Sequence, residues 1–145
     1  MDAVCTSFDI GARLDPVSYE ISPERIAIYS RYVFDGRDTR NIHTDDEVAR
    51  RAGLPRAVAQ GRYPIGYMSE RSLTFFGQGW LESGRLDVTL VKPIFAGDSI
   101  TVHGTVVERQ PAADGATRVV LDIWLENQAG ERVTTGTASA LVRDA

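Results

Sequence analysis

The sequence is short of the residues that usually staple, wire or anchor a small protein. Its one cysteine, Cys5, excludes a disulfide within the chain and a thiolate metal cluster. Positive charge is not in excess: 16 Lys and Arg stand against 20 Asp and Glu, a net charge of −4. That balance argues against a general nucleic-acid footprint and an anionic membrane surface as partners, while a local basic patch would still serve a phosphorylated ligand. No apolar run approaches the ~20 residues that cross a bilayer. The opening MDAVCTSFDIGARLD has neither the basic start nor the apolar stretch of a secretion signal, so a reducing cytoplasm is the expected location. Internal repeats and low-complexity linkers are also missing. The 145 residues are read as one domain, 1–145, large enough for its own core.

What is present falls into a helical first half and a β-rich second half. PVSYEI (16–21) reads as a short strand. In ISPERIAIYSRYVF (21–34), Ser22 is a helix cap, Pro23 suits the first helical position, and Ile26, Tyr29, Tyr32 and Val33 recur at helical spacing. TDDEVARRAG (44–53) reads as a second helix, with Thr44 as cap, Glu47 completing a capping box and Gly53 as stop. A long helix is expected over 61–76, with Ile65, Met68, Ser69, Ser72, Leu73 and Phe76 on one apolar face. Strands are expected at 85–91, 99–108, 117–126 and 131–142, with a hairpin turn at Asp114-Gly115. Strands so close in sequence pair antiparallel. The order predicts an α+β hot-dog fold: an antiparallel sheet wrapped around one long central helix, with an N-terminal helical overhang. One helix covers only one face of a sheet, which predicts a dimer.

Histidine is nearly as scarce as cysteine, with His43 and His103 the only two, and His43 sits in the acid-rich stretch DGRDTRNIHTDDE (35–47). From Thr44 onward the acids have a structural reason, since a helix start favours negative charge. Asp35, Asp38 and His43 remain. Imidazole is the side chain best suited to proton transfer near neutral pH, and a carboxylate reaching the same water can orient it. An Asp/His pair in a loop also serves simply as a structural hydrogen bond. Gly61 falls where the long helix begins, so unpaired N–H groups there can face a developing oxyanion or merely start a helix. His103 lies on the polar side of its strand and Glu70 off the apolar face of the long helix; both read as solvated residues.

Four blocks resemble the MaoC-like family, the single-hot-dog (R)-specific enoyl-CoA hydratases and related dehydratases. They are DTRNIHTDDEVARRAGLP (38–55), AVAQG (57–61), GRLDVTLVKPIFAGDSITVHGTV (84–106) and GTASALV (136–142), and the likeness covers about residues 5–143. Members typically show D-x-N-P-x-H, then T-D and an Ala-rich helix, then an A-H-G step. The resemblance implies that Asp38 and His43 hold and activate the water that adds across the double bond of an α,β-unsaturated acyl thioester, or is removed in reverse. It implies that the thioester carbonyl is held by N–H groups near Gly61, with Gln60 and Arg62 beside it, and that no metal or redox cofactor takes part. The chain departs from the pattern at three positions: Arg40 stands where Asn is usual, Asn41 where Pro is usual, and Gln60 where His is usual. The segment before Asp38 is also longer, which leaves Asp35 as a second candidate for the carboxylate.

The expected activity is therefore that of an enoyl-CoA hydratase or 3-hydroxyacyl thioester dehydratase, a lyase. Its partners would be an acyl-CoA or acyl-carrier-protein substrate and a second copy of the chain. Arg37, Arg40, Arg62 and Lys92 are the candidate cations for the carrier's phosphate. Two alternatives stand beside it: a hot-dog thioesterase using Glu70, and a non-catalytic hot-dog partner subunit.

Overall fold

A computed structural model describes residues 8–143, so Cys5 lies outside the described residues. Its elements are β1 (Val17–Glu20), α1 (Pro23–Val33), α2 (Asp46–Arg51), α3 (Arg62–Phe76), α4 (Gln78–Ser83), β2 (Arg85–Leu90), β3 (Ser99–Pro111), β4 (Thr117–Asn127) and β5 (Arg132–Val142). The strands form one sheet in the order β1-β3-β4-β5-β2, antiparallel throughout. α3 packs on β3, β4 and β5, which makes it the central helix expected from the sequence. Among the described residues, no helix is long and apolar enough to cross a membrane.

The core follows strand alternation. Ile100, Val102 and Val106 of β3, and Val119, Leu121, Ile123 and Leu125 of β4, are buried toward α3. A bulge between Val106 and Glu108 leaves Val107 outside the pairing and half exposed. The Asp114-Gly115 hairpin is present, with Asp114 at φ 57° and Gly115 at φ 71°, the left-handed pair such a turn demands.

Three local expectations are corrected. The cap of α2 is Asp45, whose carboxylate accepts from Val48 N at 3.0 Å. Thr44 is taken: its hydroxyl donates to Thr39 O at 2.6 Å and accepts from Asn41 N at 3.1 Å. The buried stripe of α3 runs through Pro64, Met68, Ser72, Phe75 and Phe76, while Leu73 is 39% exposed. Phe8 explains the last turn, meeting Phe75 edge-on at 5.3 Å and stacking on Phe76 at 6.3 Å, and so draws those rings inward. The third is the stretch after α3, where no helix is expected: α4 forms there although Gly77 stands just before it and Gly79 within it. Gly77 ends α3 at φ 60°, and Gly79 lies so close to β5 that a Cβ there would fall 2.2 Å from Leu141 O.

All five tyrosines of the chain gather where α1 and β1 meet α3. Tyr19 of β1 stacks on Tyr67 of α3 at 3.8 Å, and Tyr29 of α1 stacks on Tyr63 of α3 at 5.4 Å. The Tyr63 and Tyr67 hydroxyls are 3.0 Å apart, and Tyr32 tilts against Tyr29 at 6.4 Å. Burial, then the bond to Tyr67, pushes the Tyr63 hydroxyl above the usual range, so it stays protonated.

The β2–β5 pairing depends on Gly136, which lies opposite Val88; a Cβ there would fall 2.0 Å from Asp87 O. Gly136→Ala should lower stability by about 1–3 kcal/mol, the usual cost of overpacking. Gly66, exposed on α3 with open space around it, is the control. Gly66→Ala should raise stability by about 0.5–1 kcal/mol. Urea unfolding of both variants checks the pair, and an unaffected Gly136→Ala would place β2 in another register.

Candidate active site

The loop that carries His43 starts with a chain reversal. After α1, Asp35 and Gly36 both adopt positive φ, 54° and 78°, and Gly36 N donates to Arg31 O at 2.7 Å. The reversal brings Asp38 back onto the last turn of α1. There Arg31 donates from Nε to Oδ1 at 2.7 Å and from Nη2 to Oδ2 at 3.3 Å. This guanidinium holds the Asp38 carboxyl below the usual carboxylate range. The pair lies at the surface, with the Arg31 and Asp38 side chains 57% and 81% exposed. Asp35 is exposed as well. Among the described residues, no hydrogen bond joins either carboxylate to His43.

Asn41 closes the next turn on itself. Its carboxamide oxygen accepts from His43 N at 2.8 Å, and its NH2 donates to Thr39 Oγ1 at 2.9 Å. Its carbonyl accepts from Thr44 N at 3.1 Å and Asp45 N at 3.0 Å. Asn is a residue that stabilises such turns by binding the backbone two positions on. Arg40 leaves this turn in the other direction, donating to Asp45 Oδ2 at 2.5 Å and to Glu47 Oε2 at 3.2 Å at the start of α2.

The His43 ring is half buried, and its Nδ1 lies 2.7 Å from the main-chain oxygen of Val58. A carbonyl oxygen only accepts, so Nδ1 carries the proton. In the neutral ring, Nε2 is then the nitrogen with the free lone pair. His43 lines a cleft of about 570 Å³ with Pro23 and Ala27 of α1, Asp45, Arg50 and Arg56.

Val58 is itself fixed from both sides. Its N–H donates to Ile42 O at 3.1 Å, Ala57 N donates to Asp46 Oδ1 at 2.8 Å, and Ala59 N donates to Ile94 O at 2.7 Å. The segment then leads straight to Gly61, the cap position of α3, where no side chain caps the first N–H groups. A Cβ at Gly61 would fall 2.7 Å from Leu90 Cδ1, the end of an exposed side chain that could move aside. A second cavity, of about 330 Å³, opens here between Val58, Ala59, Gly61, Pro64, Leu90 and Thr134. Both polar atoms of the Gln60 carboxamide are buried and meet no partner among the described residues. Buried polar atoms of this kind ordinarily find a hydrogen bond to protein, water or a bound molecule.

The other candidates lie elsewhere. Arg62 is exposed in the first turn of α3. Arg37 donates to Phe34 O at 3.2 Å, and Lys92 pairs with Glu131 at 2.8 Å. Glu70 accepts from the Tyr19 hydroxyl at 3.3 Å on the exposed side of α3. His103 stacks on Trp124 at 5.3 Å on the sheet face turned away from α3, with Glu126 3.9 Å off. Sequence reasoning missed Val58, whose contribution is a main-chain atom that any residue supplies. It also missed Arg31, seven residues before Asp38, because only the reversal at Asp35 and Gly36 brings them together.

The family model described as the MaoC like domain matches residues 7–126. The chain belongs to the MaoC-like family. No curated protein matches it by sequence at a significant level. Among solved structures, this MaoC-like chain is similar to the monoamine oxidase regulatory protein from Archaeoglobus fulgidus, at 26% identity and TM-score 0.73, covering 94% of this chain and 92% of that one. The MaoC-like dehydratase from Rhodospirillum rubrum matches at 22% identity and TM-score 0.75, covering 94% of each chain. An R-hydratase from Pseudomonas aeruginosa matches at 18% identity and TM-score 0.71, covering 94% of this chain and 83% of its own. These likenesses establish the hot-dog fold of this MaoC-like domain.

Asn41 generates a test of the loop. Asn41→Ala removes the acceptor of His43 N and the donor to Thr39, and should cost about 0.5–2 kcal/mol, the net worth of one or two such bonds. Asn41→Asp keeps the acceptor and should cost less. Denaturant unfolding gives the stabilities, and the amide resonance of His43 should move in Asn41→Ala more than in Asn41→Asp.

Proposed function

We propose that the chain is a hydratase or dehydratase of an α,β-unsaturated or 3-hydroxyacyl thioester, carried on coenzyme A or a carrier protein. The observation that carries this reading is the His43–Val58 bond. It leaves Nε2 as the basic nitrogen of a ring tied to Val58, which stands three residues before Gly61 at the uncapped start of α3.

In the hydration direction, His43 Nε2 takes a proton from water as the water oxygen bonds to the β-carbon. The π electrons of the double bond move to the thioester carbonyl and form an enolate. N–H groups at Gly61, aided by the positive end of the α3 dipole, stabilise that oxygen. The proton held by the imidazolium then passes to the α-carbon, and the ring returns to its starting state. Asp38, kept anionic by Arg31, accepts from the water and orients it. Asn41 holds the loop, Arg40 ties it to α2, and the Gln60 carboxamide supplies a further donor beside Gly61. Dehydration is the same path reversed.

A homodimer belongs to this proposal. β2 is an edge strand, paired only with β5, and Leu90 at its end and Val91 just after it are 55% and 52% exposed. A second copy adding to this edge would cover both side chains.

One observation favours a second reading, that of a non-catalytic partner subunit: the exposed Asp38 carboxylate points to Arg31 and not to His43. Turnover decides between them. Short trans-enoyl-CoA should lose its enoyl absorbance when the protein is added. His43→Gln and Asp38→Asn should each slow this by roughly 10²–10⁴-fold, the range for positioned acid–base groups, while Asp35→Asn stays near the parent rate. Thiol release from a saturated acyl-CoA without loss of the enoyl chromophore would replace the hydratase by a thioesterase. No turnover of either compound would favour the partner subunit.

A further inference from the structure

We propose that Arg31 is a positioning residue for the Asp38 carboxylate and acts on turnover only through it. The inference rests on the reading above, in which Asp38 is the working carboxylate.

Arg31 holds this region at two levels. Its main-chain oxygen accepts from Gly36 N at 2.7 Å and fixes the reversal that returns the chain to α1. Its guanidinium then takes both carboxylate oxygens of the residue this reversal delivers, at 2.7 and 3.3 Å. Such a two-point contact sets the direction of both oxygens as well as their distance. Stability is a poor reason for it, because exposed ion pairs contribute about 0–1 kcal/mol.

The neighbouring cations are committed elsewhere. Arg37 donates to Phe34 O, and Arg40 pairs with Asp45 and Glu47. Arg31 is thus the ionisable side chain that bears on Asp38, and it comes from a different element. A carboxylate that must accept from water has to stay anionic and keep one orientation. With Arg31 in place, each Asp38 oxygen retains lone pairs for that water.

A double-mutant cycle on the full chain tests this, with kcat/KM for a short enoyl-CoA measured for the parent, Arg31→Gln, Asp38→Asn and the double variant. Arg31→Gln should lose roughly 5- to 100-fold in the parent background, the range for neighbouring groups that act as a unit, and nothing further in the Asp38→Asn background. Arg31→Lys keeps the charge without the two-point grip and should recover part of the loss. Equal losses in both backgrounds would make Arg31 a structural residue and overturn the proposal. So would an unaffected Arg31→Gln.

If Asp38→Asn itself turns over normally, the assignment of Asp38 fails and this inference falls with it. Thermal melts of all four proteins separate misfolding from these outcomes. A readout independent of turnover is the 13C titration of the Asp38 carboxyl. Arg31→Gln should raise its midpoint toward that of an ordinary Asp, and an unmoved midpoint would also overturn the proposal.

Discussion

The site depends on one hydrogen bond between an imidazole and a main-chain oxygen. Val58 O fixes which nitrogen of His43 is protonated and which way the ring faces. Val58 can do this only because its strap is tied down on both sides. Ile42 O and Asp46 hold it to the His43 loop; Ile94 O and the Val58–Phe95 bridge hold it to the segment between β2 and β3. The strap next reaches Gly61, against which the Leu90 side chain packs. The His43 ring and the start of α3 are thereby both tied to one short piece of backbone, Val58 to Gly61. Elements far apart in the sequence converge on it.

The sequence carried the architecture well because two periodicities dominate it. Alternation in SITVHGTVVE and TRVVLDIWLE places Val102, Val106, Leu121 and Ile123 in the core, and all four are buried. The central helix is legible from Met68 and Ser72, but the face is misjudged at its end. Leu73 fits the pattern of a core residue, yet Phe8, from another part of the chain, turns Phe75 and Phe76 inward. The same logic governs the cap of α2. Thr44 and Asp45 are both good caps, and the choice is made by Thr39 and Asn41, which occupy the threonine hydroxyl. Local rules offer candidates, and contacts from elsewhere choose among them.

The candidate site was legible to a lesser degree. His43 stands out by scarcity, and Gly61 by its place before a long helix. Asp38 stands out by spacing, but its partner Arg31 cannot be read from spacing, since a reversal with two positive φ angles intervenes. The departures from the family pattern also acquire physical content. Asn41, in place of a proline, builds a turn through its side chain where proline would impose one through its ring. Arg40 is absorbed by the first turn of α2. Gln60 leaves two polar atoms waiting inside the protein.

The tyrosine cluster gives the molecule a seam. α1 has no backbone pairing with the sheet; rings join it to α3, Ile26 buries it in the common core, and β1 touches the sheet only along β3. The His43 loop is fastened to α1 through Arg31 and Asp38 and to the strap through Ile42 and His43, while β3–β4 and β4–β5 run as ladders of eleven and ten residue pairs. Regions held by few contacts open locally before the rest of a structure. By that rule the overhang should open before the central strands do, although Ile26 anchors it in the common core. The candidate site thus sits on the side of the molecule held by side chains and single bonds, against a frame held by continuous ladders.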